Sequence, residues 1–131
     1  KQKIVTTGDL INILMPISPS KNNNKFLAKI FQAIRIEVND ELSVIKKLLE
    51  TSSKYLNKGG RLVCISYHSL EDRLVKRYIQ NGSFSQQVES DIYGNKNTYF
   101  RKIGKIVTPS EYELNKNKRS RSAKLRIAEK I

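Results

Sequence analysis

A short apolar run that ends in polar residues is the feature that most constrains what this chain can fold into. Residues 62–65 read Leu-Val-Cys-Ile without alternation, which is the pattern of a strand covered on both faces, as in a parallel sheet. Gly59 and Gly60 precede the run and favour the end of a helix there. The sequence therefore predicts a buried strand over 61–67, and the polar residues around its end are Ser66, Tyr67, His68 and Ser69.

Helical periodicity flanks this strand on both sides. Apolar residues recur at three- and four-residue steps before it, which predicts one long helix over 25–56 with one buried face. A second apolar stripe predicts a helix over 69–80, with Ser69 as its N-cap and Asp72 in place of the usual capping-box glutamate. This α-β-α order is the repeating unit of a doubly wound α/β sheet.

The remaining elements are predicted to be short. A first helix capped by Thr7 runs to about residue 15, where prolines stop it. The polar segment 81–98 is expected to be an exposed loop. Two late strands over 102–107 and 123–128 are separated by a short helix, which opens after Pro109 with Ser110 and Glu113 as capping partners. We expect these two strands to form an antiparallel pair that closes the sheet.

Positive charge is the strongest global signal in the sequence. The chain has 131 residues, 25 Lys and Arg against 12 Asp and Glu, and a net charge of +13. Residues 96–131 carry eleven basic and three acidic side chains, so the excess is concentrated near the end of the chain. Such a block favours a polyanion such as RNA, DNA or an acidic membrane face. The alternative is a solvated, lysine-rich surface without a partner.

A basic cluster at 116–126, KNKRSRSAKLR, is the most specific part of this charge. Basic side chains interleaved with small hydroxyl residues are typical of contacts to phosphates. The alternative is a charged edge strand whose lysines deter unwanted pairing. The residues that we predict to bind phosphate are Lys118, Arg119, Arg121, Lys124 and Arg126.

One cysteine and one histidine limit the chemistry that the chain can carry. Cys64 alone forms no internal disulfide, and its place in the apolar run favours a buried thiol in a reducing compartment, so we expect a cytoplasmic protein. An ordinary structural zinc site takes four side-chain ligands, so we expect no metal. No apolar run approaches the length of a membrane span, and we expect no membrane partner. Because the chain starts at Lys1, we expect it to be a fragment or a trimmed chain.

The end of the predicted strand is the best candidate site. In open α/β sheets ligands bind outside the carboxyl ends of the strands, which is where Ser66 to Ser69 fall. His68 is suited to bind a substrate or to move a proton; the alternative is a hydrogen bond to a neighbouring loop. Glu71 and Asp72 suit the first helical turn, where acids complement the dipole. A nucleophile triad is poorly supported, and the adjacent glycines precede a strand, whereas a dinucleotide-binding loop follows one.

Three segments resemble one known family in its own order. GGRLVCISYHSLEDRLVKRYI at 59–79 resembles the late strand–helix unit of the ribosomal RNA small subunit methyltransferase H family, also called MraW. FQAIRIEVNDEL at 31–42 resembles its long helix, and NKRSRSAKLRIAEK at 117–130 resembles its C-terminal strand. The resemblance implies an α/β fold: the C-terminal part of a class I (Rossmann-like) methyltransferase sheet, preceded by the end of a helical insertion domain. Residues 1–24 would end the RNA-binding insertion, and residues 25–131 would be the C-terminal half of the methyltransferase domain.

The same resemblance implies transfer of a methyl group from S-adenosylmethionine to the N4 amine of a cytidine in small-subunit ribosomal RNA. Ser66, Tyr67, His68 and Ser69 would line the acceptor side of the active site. The family's cofactor-binding half, with its glycine-rich loop, has no counterpart in the sequence. We therefore expect that this chain alone does not methylate RNA, and that its incomplete sheet favours self-association. The alternative is a non-catalytic, basic RNA-binding module that assists ribosome assembly.

Overall fold

The computed structural model describes residues 3–19, 21–85 and 97–131. Most of the segment predicted as an exposed loop, residues 86–96, lies outside them. The chain divides into two compact units, Lys1–Glu41 and Leu42–Ile131. The boundary between residues 24 and 25 that the resemblance implies stays a prediction. None of the helices in the described ranges has the length and apolar character needed to cross a bilayer.

The first unit contains two helices and a turn. Helix α1 spans Thr7–Leu14, a 3₁₀ turn spans Met15–Ile17, and helix α2 spans Asn23–Val38. The N-cap of α1 is Thr6 and not the predicted Thr7. The Thr6 hydroxyl accepts a hydrogen bond from the Asp9 N–H at 3.2 Å, and the Asp9 carboxylate accepts one from the Thr6 N–H at 2.8 Å. This reciprocal pair fixes the start of α1 one residue earlier than expected.

The predicted long helix over 25–56 is wrong as a single element. Helix α2 ends at Val38, and helix α3 spans Glu41–Tyr55. Asp40 between them has φ of 50°, the left-handed conformation that stops a helix and that Asn and Asp tolerate better than most residues. The Arg35 guanidinium bonds to the Glu41 carboxylate at 2.8 Å, and so stabilises the break. The apolar spacing continues across the break, which is why it is not visible in the periodicity.

The second unit contains a three-stranded sheet. Strand β1 spans Arg61–Ser66, β2 spans Phe100–Val107 and β3 spans Lys124–Lys130. Their spatial order is β1-β3-β2, and both pairs are antiparallel. The antiparallel pair of the two late strands is confirmed. The parallel neighbour expected for β1 is not among the described residues, where β1 bonds to β3 alone.

The expectation that β1 is covered on both faces is also wrong for the described residues. Leu62 and Ser66 are buried, whereas Val63 and Ile65 are 57% and 60% exposed. The strand therefore alternates between an inner and an outer face. Its outward residues are apolar as well, so the sequence shows no alternation. We call Val63, Ile65, Val107 and Leu125 the open face of the sheet, because they lie opposite the face that the helices cover.

Helix α4, Ser69–Asn81, covers the inner face of the sheet. A short helix α5, Glu111–Lys116, and a 3₁₀ turn, Lys118–Ser122, connect β2 to β3. Ser110 caps α5 as predicted, since its hydroxyl accepts from the Glu113 N–H at 3.2 Å. The buried apolar core comes from α3, α4 and all three strands, and its members are Leu49, Leu62, Val75, Tyr78, Ile79, Phe100 and Ala128.

The core predicts a sharp contrast between two adjacent leucines of α3. Leu49 is fully buried, whereas Leu48 is 55% exposed. Leu49→Ala is expected to lower the free energy of unfolding by about 2–5 kcal/mol through lost burial and a cavity. Leu48→Ala, the matched control, is expected to cost less than about 1 kcal/mol. Urea denaturation followed by circular dichroism measures both, and equal losses would contradict this assignment of the core.

Candidate functional site

The turn between β1 and α4 carries the four residues predicted at the end of the strand. Ser66 is buried, and its hydroxyl lies 3.5 Å from the Lys124 carbonyl oxygen that accepts its hydrogen bond. Tyr67 is 55% exposed, His68 immediately precedes the helix, and Ser69 is its first, exposed residue. The structure thus brings all four to one turn but gives their side chains different environments.

The capping box of α4 is displaced by one residue from the prediction. His68 is the N-cap, with extended backbone, and its Nδ1 accepts a hydrogen bond from the Glu71 N–H at 3.4 Å. The predicted pair of Ser69 and Asp72 is therefore wrong. Histidine is not among the side chains usually favoured at an N-cap, so the sequence rule selected the serine that follows it.

Glu71 holds this turn together, which the sequence did not indicate beyond a dipole effect. One carboxylate oxygen accepts hydrogen bonds from the Tyr67 N–H at 2.8 Å and the His68 N–H at 3.3 Å. The other oxygen lies 3.1 Å from His68 Nε2. A single side chain thus satisfies two backbone donors and lies against the imidazole ring. The available signal was the spacing of three residues between His68 and Glu71.

Asp72 reaches across to strand β3 and bonds to two basic residues there. Its carboxylate accepts from Arg126 Nε at 2.7 Å and Nη2 at 3.1 Å, and from Lys124 Nζ at 3.4 Å. The hydrogen bond from Arg126 is the main cause that holds the pKa of Asp72 below its ordinary value, against the opposing effect of burial. Because 54 residues separate Asp72 from Arg126, no local pattern indicates this pair.

The five predicted phosphate-binding residues fall into two groups. Lys118, Arg119 and Arg121 lie exposed on the 3₁₀ turn. Lys124 and Arg126 lie on β3 and bond to Asp72, and the Arg126 side chain is only 15% exposed. The first group is available to a polyanion as it stands, whereas the second already has an anionic partner. Phosphate binding by any of the five stays a prediction.

A cleft of about 440 Å³ lies beside Tyr67 at one end of the sheet. Strand β1 and strand β2 end there, and the 3₁₀ turn leads into β3 there. Apolar side chains of the open face form part of its wall, and Ser110, Glu113 and Ser120 supply polar groups. An exposed aromatic ring above a partly apolar cleft, next to a basic turn, is an arrangement suited to a planar base with an attached phosphate.

Cys64 is not suited to act as a nucleophile. It lies half-buried in β1 and packs against the core. Burial raises the pKa of its thiol above the ordinary value, which disfavours the reactive thiolate. The chain's single cysteine therefore contributes packing, consistent with the weak support for a nucleophile triad in the sequence.

The whole chain, residues 1–131, matches the MraW methylase family, and it belongs to that family. The resemblance drawn from the three motifs is thus confirmed. The ribosomal RNA small subunit methyltransferase H of Flavobacterium johnsoniae is 55% identical over 98% of this chain and 42% of its own length. The proteins of the same name from Amoebophilus asiaticus and Flavobacterium psychrophilum are 54% and 53% identical over 99% of this chain. This chain spans 42% and 45% of their lengths, which is less than half of each curated relative.

The Asp72 contacts predict a loss of stability at acid pH. Because the folded pKa of Asp72 is lowered, its contribution is present above the unfolded pKa of about 3.9 and disappears as the pH falls through the folded value. Asp72→Asn is expected to lower the free energy of unfolding by about 1.5–3 kcal/mol at neutral pH. The difference from the unsubstituted chain should shrink below about pH 4.

Urea denaturation between about pH 2 and 7 measures this effect. Glu111→Gln is the control, because it removes one exposed carboxylate from the first turn of α5, and this carboxylate forms no ion pair with any residue that the structure describes. A difference for Asp72→Asn that stays constant down to the lowest pH contradicts the assignment.

Proposed function

We propose that this chain is part of a cytoplasmic, S-adenosylmethionine-dependent methyltransferase that acts on the N4 amine of a cytidine in small-subunit ribosomal RNA. Membership of the MraW methylase family and the names of the relatives support the reaction class and the RNA. The α/β fold of the second unit agrees with a methyltransferase domain. We propose further that the sheet is the C-terminal part of a class I, Rossmann-like sheet and that the first helices end an insertion domain.

The observation that carries the proposal is the cleft beside Tyr67. Its aromatic ring is exposed at the carboxyl end of β1, and the cleft wall is partly apolar. The 3₁₀ turn that borders the cleft bears Lys118, Arg119 and Arg121. In our proposal the target base lies against Tyr67 while the basic turn binds adjoining phosphates. Base stacking on aromatic rings and contacts between phosphates and basic side chains are the two interactions that bind single-stranded RNA.

His68 acts in this proposal as a positioning residue. Its imidazole is held by Glu71, and the same carboxylate holds the backbone of Tyr67. An exocyclic amine needs little help from a general base once it is placed against an activated methyl group, so orientation dominates the rate. We propose that Ser66 and Ser69 line the same turn. Ser66 stabilises the end of β1 through the hydrogen bond from its hydroxyl to the Lys124 carbonyl oxygen.

The methyl donor is held, in our proposal, by parts of the protein outside this chain. At the β1–α4 turn, the N–H groups of Tyr67, His68 and Glu71 are already bonded by side chains of the turn itself. The β2–α5 connection, residues 108–110, contains no glycine. Among the described residues these two strand-to-helix connections therefore do not fit the glycine-lined cradle that a nucleotide-like cofactor requires.

We propose that the open face leads the isolated chain to self-associate.

This division of the site predicts the binding behaviour of the chain alone. Isothermal titration of the 131-residue chain with S-adenosylmethionine is expected to show no micromolar binding. The protein of the relatives' full length, titrated in parallel, is expected to bind it. Clear micromolar binding to the chain alone contradicts the proposed division.

Substitution of His68 tests its positioning role in the protein of full length. His68→Ala removes the N-cap acceptor and the contact with Glu71, and it is expected to reduce turnover of ribosomal RNA by about ten- to a hundredfold with the fold retained. His68→Asn keeps a side-chain acceptor for the Glu71 N–H, and it is expected to recover part of the lost rate.

The readout is methylation of small-subunit ribosomal RNA, with thermal unfolding of each variant as the control for folding. If His68 were a general base, His68→Ala and His68→Asn would reduce turnover equally. Unchanged methylation by His68→Ala would show that this turn does not position the acceptor.

A further inference from the structure

A second basic surface, away from the cleft, lies where helix α4 faces strand β2. Lys76 of α4 and Lys102 and Lys105 of β2 line one pocket there. We call these three residues the lysine triad. Lys76 and Lys102 lie on the side of the sheet that α4 covers, whereas the cleft beside Tyr67 is walled by the open face. The two surfaces are therefore separate.

A bulge in β2 places Lys105 in this pocket. Ile103 pairs with Ile127 and Val107 pairs with Leu125, so three residues of β2 lie opposite Arg126 alone. Gly104 within the bulge has φ of 62°, which glycine adopts at no steric cost. In a regular strand Lys102 and Lys105 would point to opposite faces; the bulge brings both to the same pocket.

Among the described residues, the triad has no acidic ion-pair partner. None of its three ammonium groups forms an ion pair with an acidic side chain in the described ranges of the chain. Arg126, which also lines the pocket, is bonded to Asp72, so its charge is already paired. Three lysines around one concave surface, with no acidic partner in the part of the chain that the structure describes, create a local positive potential that attracts phosphate.

We propose that the lysine triad is a second RNA-binding surface, which contacts backbone phosphates of the substrate RNA outside the segment that enters the cleft. The inference rests on the proposed function, because that function supplies the polyanion. Lysines act on phosphates as point charges and set register and affinity without reading sequence. The triad would thus lengthen the footprint of the RNA on the protein, with the cleft selecting the base.

The test is the salt dependence of RNA binding by the 131-residue chain. The variant Lys76→Ala/Lys102→Ala/Lys105→Ala is compared with the control Lys47→Ala/Lys54→Ala/Lys58→Ala. The control removes the same amount of positive charge, from three exposed lysines in α3 and just after it. A fluorescent RNA segment of small-subunit ribosomal RNA is titrated between about 50 and 200 mM salt.

The triad variant is expected to bind at least about tenfold more weakly at 100 mM salt, and its slope of log affinity against log salt should be smaller by about 2–3. The control should change affinity by less than about threefold. Equal losses in both variants mean that net charge alone acts, and this overturns the proposal. So does unchanged affinity in the triad variant.

Two further readouts separate the alternatives. Lysines on an edge strand also deter aggregation, so a triad variant that aggregates but keeps its RNA affinity overturns the proposal. Loss of binding to vesicles containing anionic lipid, with RNA affinity unchanged, assigns the surface to a membrane and also overturns the proposal.

Methylation by the full-length protein is measured separately. If that protein methylates no ribosomal RNA while the triad variant still loses RNA affinity, the proposed function fails and the RNA-binding surface stands.

Discussion

The ion pair between Asp72 and Arg126 is the contact on which the geometry of the candidate site depends. It joins the first turn of α4 to the centre of β3, and Lys124 adds a second, weaker contact. A guanidinium that bonds to a carboxylate through two nitrogens resists both sliding and rotation. The start of α4 is thereby fixed on the sheet, and the turn that carries Tyr67 and His68 is fixed with it.

Two consecutive acidic residues make different contacts at this helix N-terminus. Glu71 bonds backward to the turn, and Asp72 bonds across to the neighbouring strand. Both also complement the helix dipole, which was the role expected from the sequence. The result is a turn in which the N–H groups of Tyr67, His68 and Glu71 are bonded and the Tyr67 ring is exposed.

The element types were predictable from the sequence, whereas their long-range partners were not. Apolar spacing and capping residues indicated the strand over 61–67, the helix over 69–80 and the late antiparallel pair. The break at Asp40 was missed because it depends on one backbone conformation and the Arg35–Glu41 bond, which leave the apolar spacing intact. The exposure of Val63 and Ile65 was missed because burial depends on what covers a strand, and apolar residues on both faces look alike in either case.

The candidate site shows the same division. Its place at the end of a strand followed from topology, and the family followed from three motifs. The roles of Glu71 and Asp72 did not, because the first rests on a histidine N-cap and the second on a partner 54 residues away.

We propose that the turn at Tyr67 receives the target base. It is tested most directly by replacing Tyr67 with a photoreactive phenylalanine derivative in the protein of full length, with the same replacement at Tyr55, which is 82% exposed, as the control. After irradiation with small-subunit ribosomal RNA, position 67 is expected to crosslink to the cytidine that we propose is methylated, or to its immediate neighbours, and position 55 is not. Crosslinks from position 67 that fall only at distant nucleotides would contradict it.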